Sequence, residues 1–362
     1  MTWTMPPEWA PQDRVWMAFP RVGNTLGDDA PSADEARDAW AAVANAVSGF
    51  EPVTMVVDPS ALGEARRRLT GEIEVVEAPL DDFWMRDIGP TFVIGDDGAL
   101  GAIDWTFNGW GAGAWATWER DDRIAGFVAE RSGAVHLPST LVNEGGAIHV
   151  DGEGTVLLTE TVQLDPRRNP YATKERVEWE MWRTLHATKV IWLPRGLTRD
   201  YESAGTRGHV DMVASFARPG VVLQHWQDNA SHPDYAVVRQ VRDVLQEATD
   251  AAGRSLEFIE LPAPETLRDH DGFVDWNYAN HLVVNGGVIA CGYGEPAGDG
   301  RAAGILADAY DREVVTIDAR PILARGGGIH CITQQQPSTP PPFALPVIER
   351  AMRQDQTTDR YA

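Results

Sequence analysis

The chain has 362 residues and carries 54 Asp and Glu against 31 Lys and Arg, which gives a formal net charge of −23 at pH 7. This acidity argues against a nucleic-acid-binding protein, because contacts with phosphates require clustered Lys and Arg. The hydrophobic fraction of 43% is that of an ordinary soluble globular protein, and the length suits one large domain or two smaller ones.

The cysteine content and the lack of long apolar runs predict a cytoplasmic protein. Cys291 and Cys331 are too few for a disulfide framework, so a reducing compartment is the default expectation. The first residues lack the basic flank and the apolar stretch of a signal peptide. No run of about 18 apolar residues occurs, so neither a transmembrane helix nor a membrane partner is expected.

In chain order, the N-terminal part predicts a strand, a helix and a strand, then an extra helix and another strand. From residue 91 onward one pattern recurs four times: a β-hairpin with a Gly-bearing turn, a helix, and a short third strand. The N-terminal elements are predicted at 15–19, 33–48, 52–57, 59–69 and 73–78. The hairpins are predicted at 91–105, 146–159, 209–226 and 280–292, the helices at 119–131, 173–187, 234–252 and 300–310, and the third strands at 135–138, 190–194, 258–262 and 314–318.

The two chain ends together predict a fifth unit. A strand at 330–334 would pair with the N-terminal strand at 15–19, which closes a ring and removes the sheet edges, as in propellers. No low-complexity linker divides the chain. We therefore predict an α/β fold of ββαβ repeats arranged as a five-bladed propeller in one catalytic domain, 1–362, with a partly irregular tail at 338–362.

A polar cluster stands at or just before the predicted start of each unit. If the units surround an axis, these clusters converge on one central site. They lie at 84–90, 143–146, 208–211, 277–280 and 326–333.

Cys331 is the candidate nucleophile of this site. It follows three glycines, which would let a ligand approach the backbone closely, and a Cys thiolate can carry covalent catalysis with a nearby His. A free Cys is most often a small buried hydrophobic residue. The polar surroundings of Cys331 favour the nucleophile, whereas Cys291 is expected to be structural.

His209 and Asp211 alternate along a predicted strand, so both side chains are expected on one face. They suit a general base with a charge partner, an ordinary hydrogen-bonded pair, or two metal ligands with Glu144 or Cys331 as a third. The chain lacks the usual Cys-x-x-Cys or His-x-x-x-His ligand spacings, which disfavours zinc.

Asp87 and Glu144 complete the candidate set. Asp87 lies in an apolar, Trp-rich stretch where an unpaired carboxylate is costly, so an ion pair with Arg86 is the simple alternative. Glu144 is followed by two glycines and equally suits a turn residue. Three carboxylates, a His and a Cys at one place suggest that sulfur attacks a bound cation. A guanidinium fits, because it stays charged and its planar fork matches carboxylates.

On these residues the chain resembles the agmatine deiminase family, within the guanidino-group-modifying enzymes that share a five-bladed α/β propeller, the pentein fold. The matching stretches span nearly the whole chain in the expected order. They are 84–90, 105–111, 143–154, 167–170, 192–196, 208–220 and 326–337.

The resemblance implies a role for each candidate catalytic residue. Cys331 would attack the guanidinium carbon, while Asp87 and Asp211 hold the N–H groups. His209 would protonate the departing ammonia and then take a proton from water, and Glu144 would orient His209.

The resemblance also implies a substrate and a reaction. Trp84, Asn280 and Gly328 would help to bind a small cationic guanidino substrate, without a metal or an organic cofactor. Agmatine and water would give N-carbamoylputrescine, on the route to putrescine, and ammonia through an amidino-thioether on Cys331. A homo-oligomer is compatible with the sequence.

Two stretches depart from the family pattern. Before Gly208 the family usually has Asp-Thr-Asn or Asp-Thr-Asp, where this chain has Gly-Thr-Arg at 205–207. The usual Ser-Tyr-x-Asn is Asn-Tyr-Ala-Asn at 277–280 and is followed by His281. We hypothesise that Arg207 favours a carboxylate-bearing guanidine such as arginine or a guanidino acid; the simple alternative is an exposed or structural arginine.

Three other functions remain open at this point. An amidinotransferase of the same fold would pass the Cys-bound group to an amine instead of water. A metal-dependent amidohydrolase would use His209, Asp211 and Glu144. A propeller that only binds a partner would have no need of the Cys, His and carboxylates.

Overall fold

The computed structural model describes residues 1–23, 25–27, 30–202 and 205–339. In these ranges, 17 strands form five separate sheets. The strands are β1 Trp3–Thr4, β2 Gln12–Ala18, β3 Val53–Val57, β4 Glu74–Glu77, β5 Thr91–Gly95, β6 Leu100–Thr106, β7 Val135–Val142, β8 His149–Val150, β9 Thr155–Thr159, β10 Lys189–Leu193, β11 Ala214–Arg218, β12 Val221–Trp226, β13 Glu257–Pro262, β14 Leu282–Val284, β15 Gly287–Gly292, β16 Glu313–Asp318 and β17 Thr333–Pro337.

Helices connect or follow these strands. They are α1 Ala30–Val47, α2 Leu62–Arg68, α3 Met85–Ile88, α4 Gly109–Ala112, α5 Ile124–Ser132, α6 Glu160–Gln163, α7 Lys174–Leu185, α8 Asp234–Glu247, α9 Pro296–Tyr310 and α10 Arg320–Leu323. Short 3-10 helices lie at Pro59–Ala61, Asp121–Arg123, Gly145–Ala147, Arg199–Tyr201 and Val210–Met212.

Four units have the predicted strand-strand-helix-strand order. In each, the first two strands are antiparallel, and the third runs parallel to the second after a helical crossover. The first unit is β5, β6, α5 and β7; the second is β8, β9, α7 and β10; the third is β11, β12, α8 and β13; the fourth is β14, β15, α9 and β16.

The fifth unit joins the two chain ends in the sheet order β17-β2-β3-β4. β17 runs antiparallel to β2, and α1 leads from β2 to the parallel strand β3. The predicted closing strand at 330–334 is wrong in its bounds, because the observed strand begins at Thr333 and leaves Cys331 in the preceding turn. Its polar residues are nonetheless buried, and the Trp16 indole donates to Gln336 Oε1 at 2.9 Å.

Neighbouring sheets contact one another in a closed cycle. α7 packs on β1, which extends the first sheet; α8 packs on β10, α9 on β13, and α1 on β16; and β17 lies against β5. Because the fifth sheet meets the first, the ring has no open end. The predicted five-bladed α/β propeller is confirmed.

The helix sequences explain how each blade is covered. In α8 the buried residues Val237, Val241 and Leu245 recur every four positions, so they form one apolar stripe against the sheet. Every residue of β3 and of β9 is buried, as expected for strands covered on both faces.

One buried apolar cluster contains residues from all five sheets. The single catalytic domain remains a prediction. No helix in the described ranges is both long and apolar enough to span a bilayer. Of the predicted irregular tail at 338–362, residues 340–362 lie outside the described residues.

Candidate active site

A cavity of about 340 Å³ opens onto two of the predicted catalytic residues, Cys331 and Asp87. Aromatic side chains form one part of its wall, and charged side chains form another. The wall consists of Thr25, Trp84, Asp87, Trp110, Trp115, Arg199, Asp200, Glu202, Gly205, Thr206, Asp275, Leu323, Ala324, Arg325, Gly326 and Cys331.

Cys331 lies in the turn before β17 and is only 6% exposed. Its Sγ is 3.2 Å from Nδ2 of Asn280 and 3.5 Å from Oδ2 of Asp211. Burial raises the pKa of the Cys331 thiol well above its usual value, and the charges of Asp211 and Asp87 raise it further. The resting sulfur is therefore a thiol that needs a nearby cation to ionise.

Asp87 is the first carboxylate beside the cavity and lies on the short helix α3. Its Oδ2 accepts from the Trp110 indole at 2.9 Å, and its Oδ1 accepts from the Gly146 backbone N–H at 3.1 Å. Burial raises the pKa of Asp87 to about 6, and the charges of Glu144 and Asp211 act in the same direction.

The predicted alternative of an ion pair between Asp87 and Arg86 does not occur. Arg86 points away, with NH1 3.5 Å from Oε1 of Glu8 and Nε donating to the His330 carbonyl at 3.3 Å. Successive residues on a helix lie on different faces, so the two side chains separate.

Asp211 is the second carboxylate and lies on the 3-10 helix Val210–Met212. Its Oδ2 accepts from Nδ1 of His330 at 2.8 Å. Burial alone would raise the pKa of Asp211, but the hydrogen bond and the charge of His330 outweigh it and hold the pKa below the usual value. This carboxylate is ionised in the resting protein.

The prediction that His209 and Asp211 alternate along a strand is wrong. Gly208 has φ +112°, and Oδ2 of Asp200 accepts from the backbone N–H groups of both Gly208 and His209, at 2.6 and 3.2 Å. These bonds turn the chain before β11 begins at Ala214. The predicted strand at 146–150 likewise begins as a 3-10 helix, Gly145–Ala147, where the Gly146 N–H donates to Oδ1 of Asp87.

His209 is buried between carboxylates. Its Nε2 is 3.3 Å from Oε2 of Glu144, and its Nδ1 is 3.8 Å from Oδ1 of Asp87. Burial lowers the pKa of His209, but the negative charges of Asp87, Glu144 and Asp211 outweigh burial and raise it to about 9. His209 is therefore protonated at neutral pH and suits a general acid.

Glu144 links His209 to a buried arginine. Both of its carboxylate oxygens accept from Nε of Arg168, at 2.9 and 3.1 Å. Burial raises the pKa of Glu144, but the charges of Arg168 and His209 prevail and lower it below the usual value. The sequence singled out Arg168 only as part of a matching stretch and did not predict this role.

Gly146 keeps open the space between the catalytic side chains. A Cβ at this position would lie 2.5 Å from Nδ1 of His209 and 3.0 Å from a carboxylate oxygen of each of Asp87 and Asp211. The first contact is too short to be tolerated, and the other two are tight. A side chain at position 146 would therefore displace His209 and crowd both carboxylates.

The predicted substrate-binding residues lie in three different settings. Trp84 lines the cavity. Asn280 instead contacts the thiol of Cys331. Gly328 lies against Asn280, since a Cβ there would be 2.5 Å from Oδ1 of that residue. Their role in substrate binding stays a prediction.

Arg207 does not line the cavity. Its Nε is 3.1 Å from Oδ2 of Asp165, and its side chain is 37% exposed. The structural alternative therefore describes Arg207 better than contact with a substrate carboxylate. Cys291 is buried, as expected of a structural cysteine.

The donors required by the metal hypothesis do not gather at one point. In the described part of the chain, one group of three ligand side chains has its donor atoms within 4.8 Å of one another, and it is the exposed Asp269, His270 and Asp271. His209, Asp211 and Glu144 form no such group there.

Comparison with known proteins gives consistent matches over almost the whole chain. The model of the Porphyromonas-type peptidyl-arginine deiminase family matches residues 4–337. A Streptomyces coelicolor protein provisionally named agmatine deiminase is 54% identical, covering 94% of this chain and 100% of its own. The agmatine deiminase of Stutzerimonas stutzeri is 42% identical, covering 92% and 95%. The solved agmatine deiminase of Enterococcus faecalis superposes with a TM-score of 0.86 at 34% identity, covering 93% of this chain and 96% of that one.

Proposed function

This chain belongs to the Porphyromonas-type peptidyl-arginine deiminase family, and we propose that it is an agmatine deiminase. The reaction is the hydrolysis of agmatine to N-carbamoylputrescine and ammonia. The names of its relatives support the substrate. The observation that carries the proposal is a buried Cys beside two carboxylates and a protonated His, which is the equipment needed for sulfur to attack a bound guanidinium.

In the first half of the reaction, Asp87 and Asp211 accept hydrogen bonds from the guanidinium N–H groups and fix its plane. The cation lowers the pKa of Cys331, the thiol releases its proton to solvent, and the thiolate attacks the central carbon to form a C–S bond. His209 then donates its proton to the departing nitrogen, so the C–N bond breaks and ammonia leaves. An amidino-thioether remains on Cys331.

In the second half, the neutral His209 takes a proton from a water molecule, which attacks the same carbon. The C–S bond breaks as the remaining hydroxyl proton of the attacking water passes to sulfur, and the ureido product leaves with Cys331 as a thiol and His209 protonated. Glu144, held by Arg168, orients His209 and favours its charged form in both halves.

The charges of the cavity wall favour a substrate tail that ends in an amine. The wall contains the carboxylates of Asp200, Glu202 and Asp275. Burial, followed by the charge of Asp200, raises the pKa of Asp275 to about 7, so a bound ammonium group would relieve it. The charge of Arg199 acts on Asp275 but does not prevent its raised pKa, and Arg199 also pairs with Asp269 at 2.6 Å, while Arg325 bonds to Ser32. Agmatine fits this wall better than arginine or a guanidino acid.

A screen for ammonia release tests the proposal. We expect agmatine to be turned over faster than arginine and 4-guanidinobutyrate, and Cys331→Ser to abolish turnover. Ammonia release without an added amine acceptor distinguishes hydrolysis from amidino transfer. Full activity after exhaustive chelation is also expected, because the mechanism assigns no step to a metal. Failure to hydrolyse any small guanidine would refute the proposed function.

A further inference from the structure

Glu8 lies beneath the active site, in the loop that connects β1 of the first sheet to β2 of the fifth. It is 5% exposed. Its Oε1 is 2.7 Å from Nε2 of His330, and its Oε2 is 3.7 Å from Nε2 of His149. The backbone of Glu8 is held in turn, since its carbonyl accepts from Nε2 of Gln12 at 2.7 Å.

Through its neighbours, Glu8 is connected to both carboxylates of the guanidinium site, Asp211 and Asp87. His330 directly precedes Cys331, and its other ring nitrogen bonds to Asp211 at 2.8 Å. Arg86, which directly precedes Asp87, reaches Oε1 of Glu8 at 3.5 Å. One carboxylate from the chain terminus thus contacts the residue adjacent to the nucleophile and the residue adjacent to the first carboxylate.

The protonation states of Glu8, His330 and Asp211 fit a fixed set of hydrogen bonds that leads from Glu8 to Asp211. Burial raises the pKa of Glu8, but His330, His149 and Arg86 outweigh it and hold the pKa well below the usual value. Burial and Arg86 lower the pKa of His330, yet Glu8 and Asp211 raise it above the usual value. His330 is therefore a cation that donates one N–H to each carboxylate.

We propose that Glu8 and His330 are positioning residues: Glu8 fixes the ring of His330, and His330 fixes the Asp211 carboxylate for the substrate cation. Glu8 does not line the cavity, and its carboxylate contacts His330, His149 and Arg86, so it acts through His330. Without it the imidazole can rotate or lose its second proton, so Asp211 loses a defined orientation. A misplacement of about 1 Å at a reacting centre costs on the order of 100-fold in rate. The inference rests on the proposed function, because it assigns Asp211 to the guanidinium.

The first test compares Glu8→Gln and Glu8→Ala with Glu51→Gln. Glu51 is the matched control, since it is also 5% exposed and its carboxylate bonds to the Asn285 backbone N–H at 2.8 Å, among residues that are neither catalytic nor part of the cavity wall. We expect both Glu8 variants to raise the KM for agmatine about tenfold or more and to lower kcat per active site. A merely structural role would reduce the fraction of active enzyme and leave KM unchanged, as expected for Glu51→Gln.

A second readout does not depend on turnover. Chloroacetamidine and chloroacetamide both alkylate Cys331 with loss of chloride, but only the amidine carries the charge that Asp87 and Asp211 recognise. The ratio of the two rates reports the cation site, since a change in thiol reactivity affects both reagents. We expect the rate with chloroacetamidine to exceed the rate with chloroacetamide by a large ratio in the wild type. This ratio should be lower by about tenfold or more in the Glu8 variants. It should be unchanged in Glu51→Gln.

A conservative pair at position 330 tests the hydrogen bond itself. The amide of His330→Asn can still donate to Asp211, whereas His330→Leu cannot, so the asparagine variant should retain the higher alkylation ratio and the lower KM. If Glu8→Ala does not fold, Glu8→Gln, which keeps the size of the side chain, carries the test. A wild-type KM and ratio in folded Glu8 variants would overturn the inference. If wild-type enzyme hydrolyses no guanidine but keeps a Glu8-dependent ratio, the proposed function fails and the positioning role stands.

Discussion

The sulfur of Cys331 lies 3.5 Å from the Oδ2 atom of Asp211, so the nucleophile faces an anion in the resting protein. This contact opposes ionisation of the thiol, in addition to the effect of burial. A guanidinium held by Asp211 would neutralise that charge at the moment when the thiolate is needed. The arrangement couples the reactivity of the nucleophile to the presence of its substrate.

Asp211→Asn should therefore change two rates in opposite directions. Loss of the negative charge lowers the pKa of Cys331, so alkylation by neutral iodoacetamide at a fixed pH should become faster, by about three- to fourfold for each unit of pKa, because the thiolate fraction rises while its nucleophilicity falls. Turnover of agmatine should fall by about 100-fold or more, because half of the guanidinium site is lost. Quenched time courses of iodoacetamide labelling measure the alkylation rate, and ammonia release measures the turnover of agmatine. Slower alkylation in Asp211→Asn would contradict this account of the thiol.

Asp87 should give kcat/KM an acid limb near pH 6. Its pKa is about 6 in the free enzyme, and protonation below that pH removes its attraction for the guanidinium. Asp211, whose pKa is held low, and His209, whose pKa is about 9, do not change charge there. Asp275, whose pKa is about 7, does, so the limb is measured with butylguanidine, which has no terminal charge for Asp275 to bind. The acid limb of kcat should lie at a lower pH than that of kcat/KM, because bound guanidinium favours the charged form of Asp87. A flat kcat/KM across pH 6 would count against this role for Asp87.

Glu144→Gln should move the alkaline limb of kcat/KM to lower pH. The proposed mechanism requires protonated His209, whose pKa of about 9 is sustained in part by Glu144. Without that charge the pKa falls toward the ordinary 6.5, so activity is lost at a lower pH. Glu51→Gln is the control and should keep the wild-type limb.

The same pKa predicts how stability changes with pH. The raised pKa of His209 means that its contribution to the free energy of unfolding is complete below about 6.5 and is lost as pH rises through about 9. The difference in unfolding free energy between wild type and Glu144→Gln should therefore shrink over this window. Denaturant melts across the window measure it, and a constant difference would show that the charge on His209 is not involved.

Asp275→Asn should weaken only the recognition of the terminal amine of the substrate. Loss of a charge-assisted contact with the ammonium group is expected to raise the KM for agmatine by about 10- to 100-fold. Turnover of butylguanidine, which has no terminal charge, should stay the same. Arg207→Ala is the matched control: because Arg207 pairs with Asp165 outside the cavity, the preference for agmatine over 4-guanidinobutyrate should not change. Equal effects of Asp275→Asn on both tails would contradict recognition of the amine.

The repeated fold could be predicted because each blade buries its apolar residues with the period of its element. The predicted hairpin at 91–105 corresponds to β5 and β6, Thr91–Gly95 and Leu100–Thr106. The predicted helix at 173–187 corresponds to α7, Lys174–Leu185. The predicted closing strand begins three residues too early, because the polar residues of β17 give no apolar pattern, although they are buried.

The geometry of the site could be predicted only in part. The prediction that the polar clusters at the strand starts converge is correct for Cys331, Asp211 and Asn280, because Cys331 contacts both of the other residues. The placement of His209 on a strand failed, because hydrogen bonds to Asp200 turn the backbone there.

Glu8 could not be found from the sequence at all. Its partner His330 lies 322 positions away, and the stretch around it has no periodicity to mark it. Only closure of the ring brings the N-terminal segment beneath the site.

The most direct test of the central claim is the mass of the enzyme after rapid acid quenching during turnover of agmatine. The account predicts a transient adduct on Cys331 with the mass of agmatine less ammonia, absent in Cys331→Ser. An adduct with the mass of agmatine less its diamine would instead indicate amidino transfer. Steady turnover without any adduct, with undiminished activity in Cys331→Ser, would contradict covalent catalysis by Cys331.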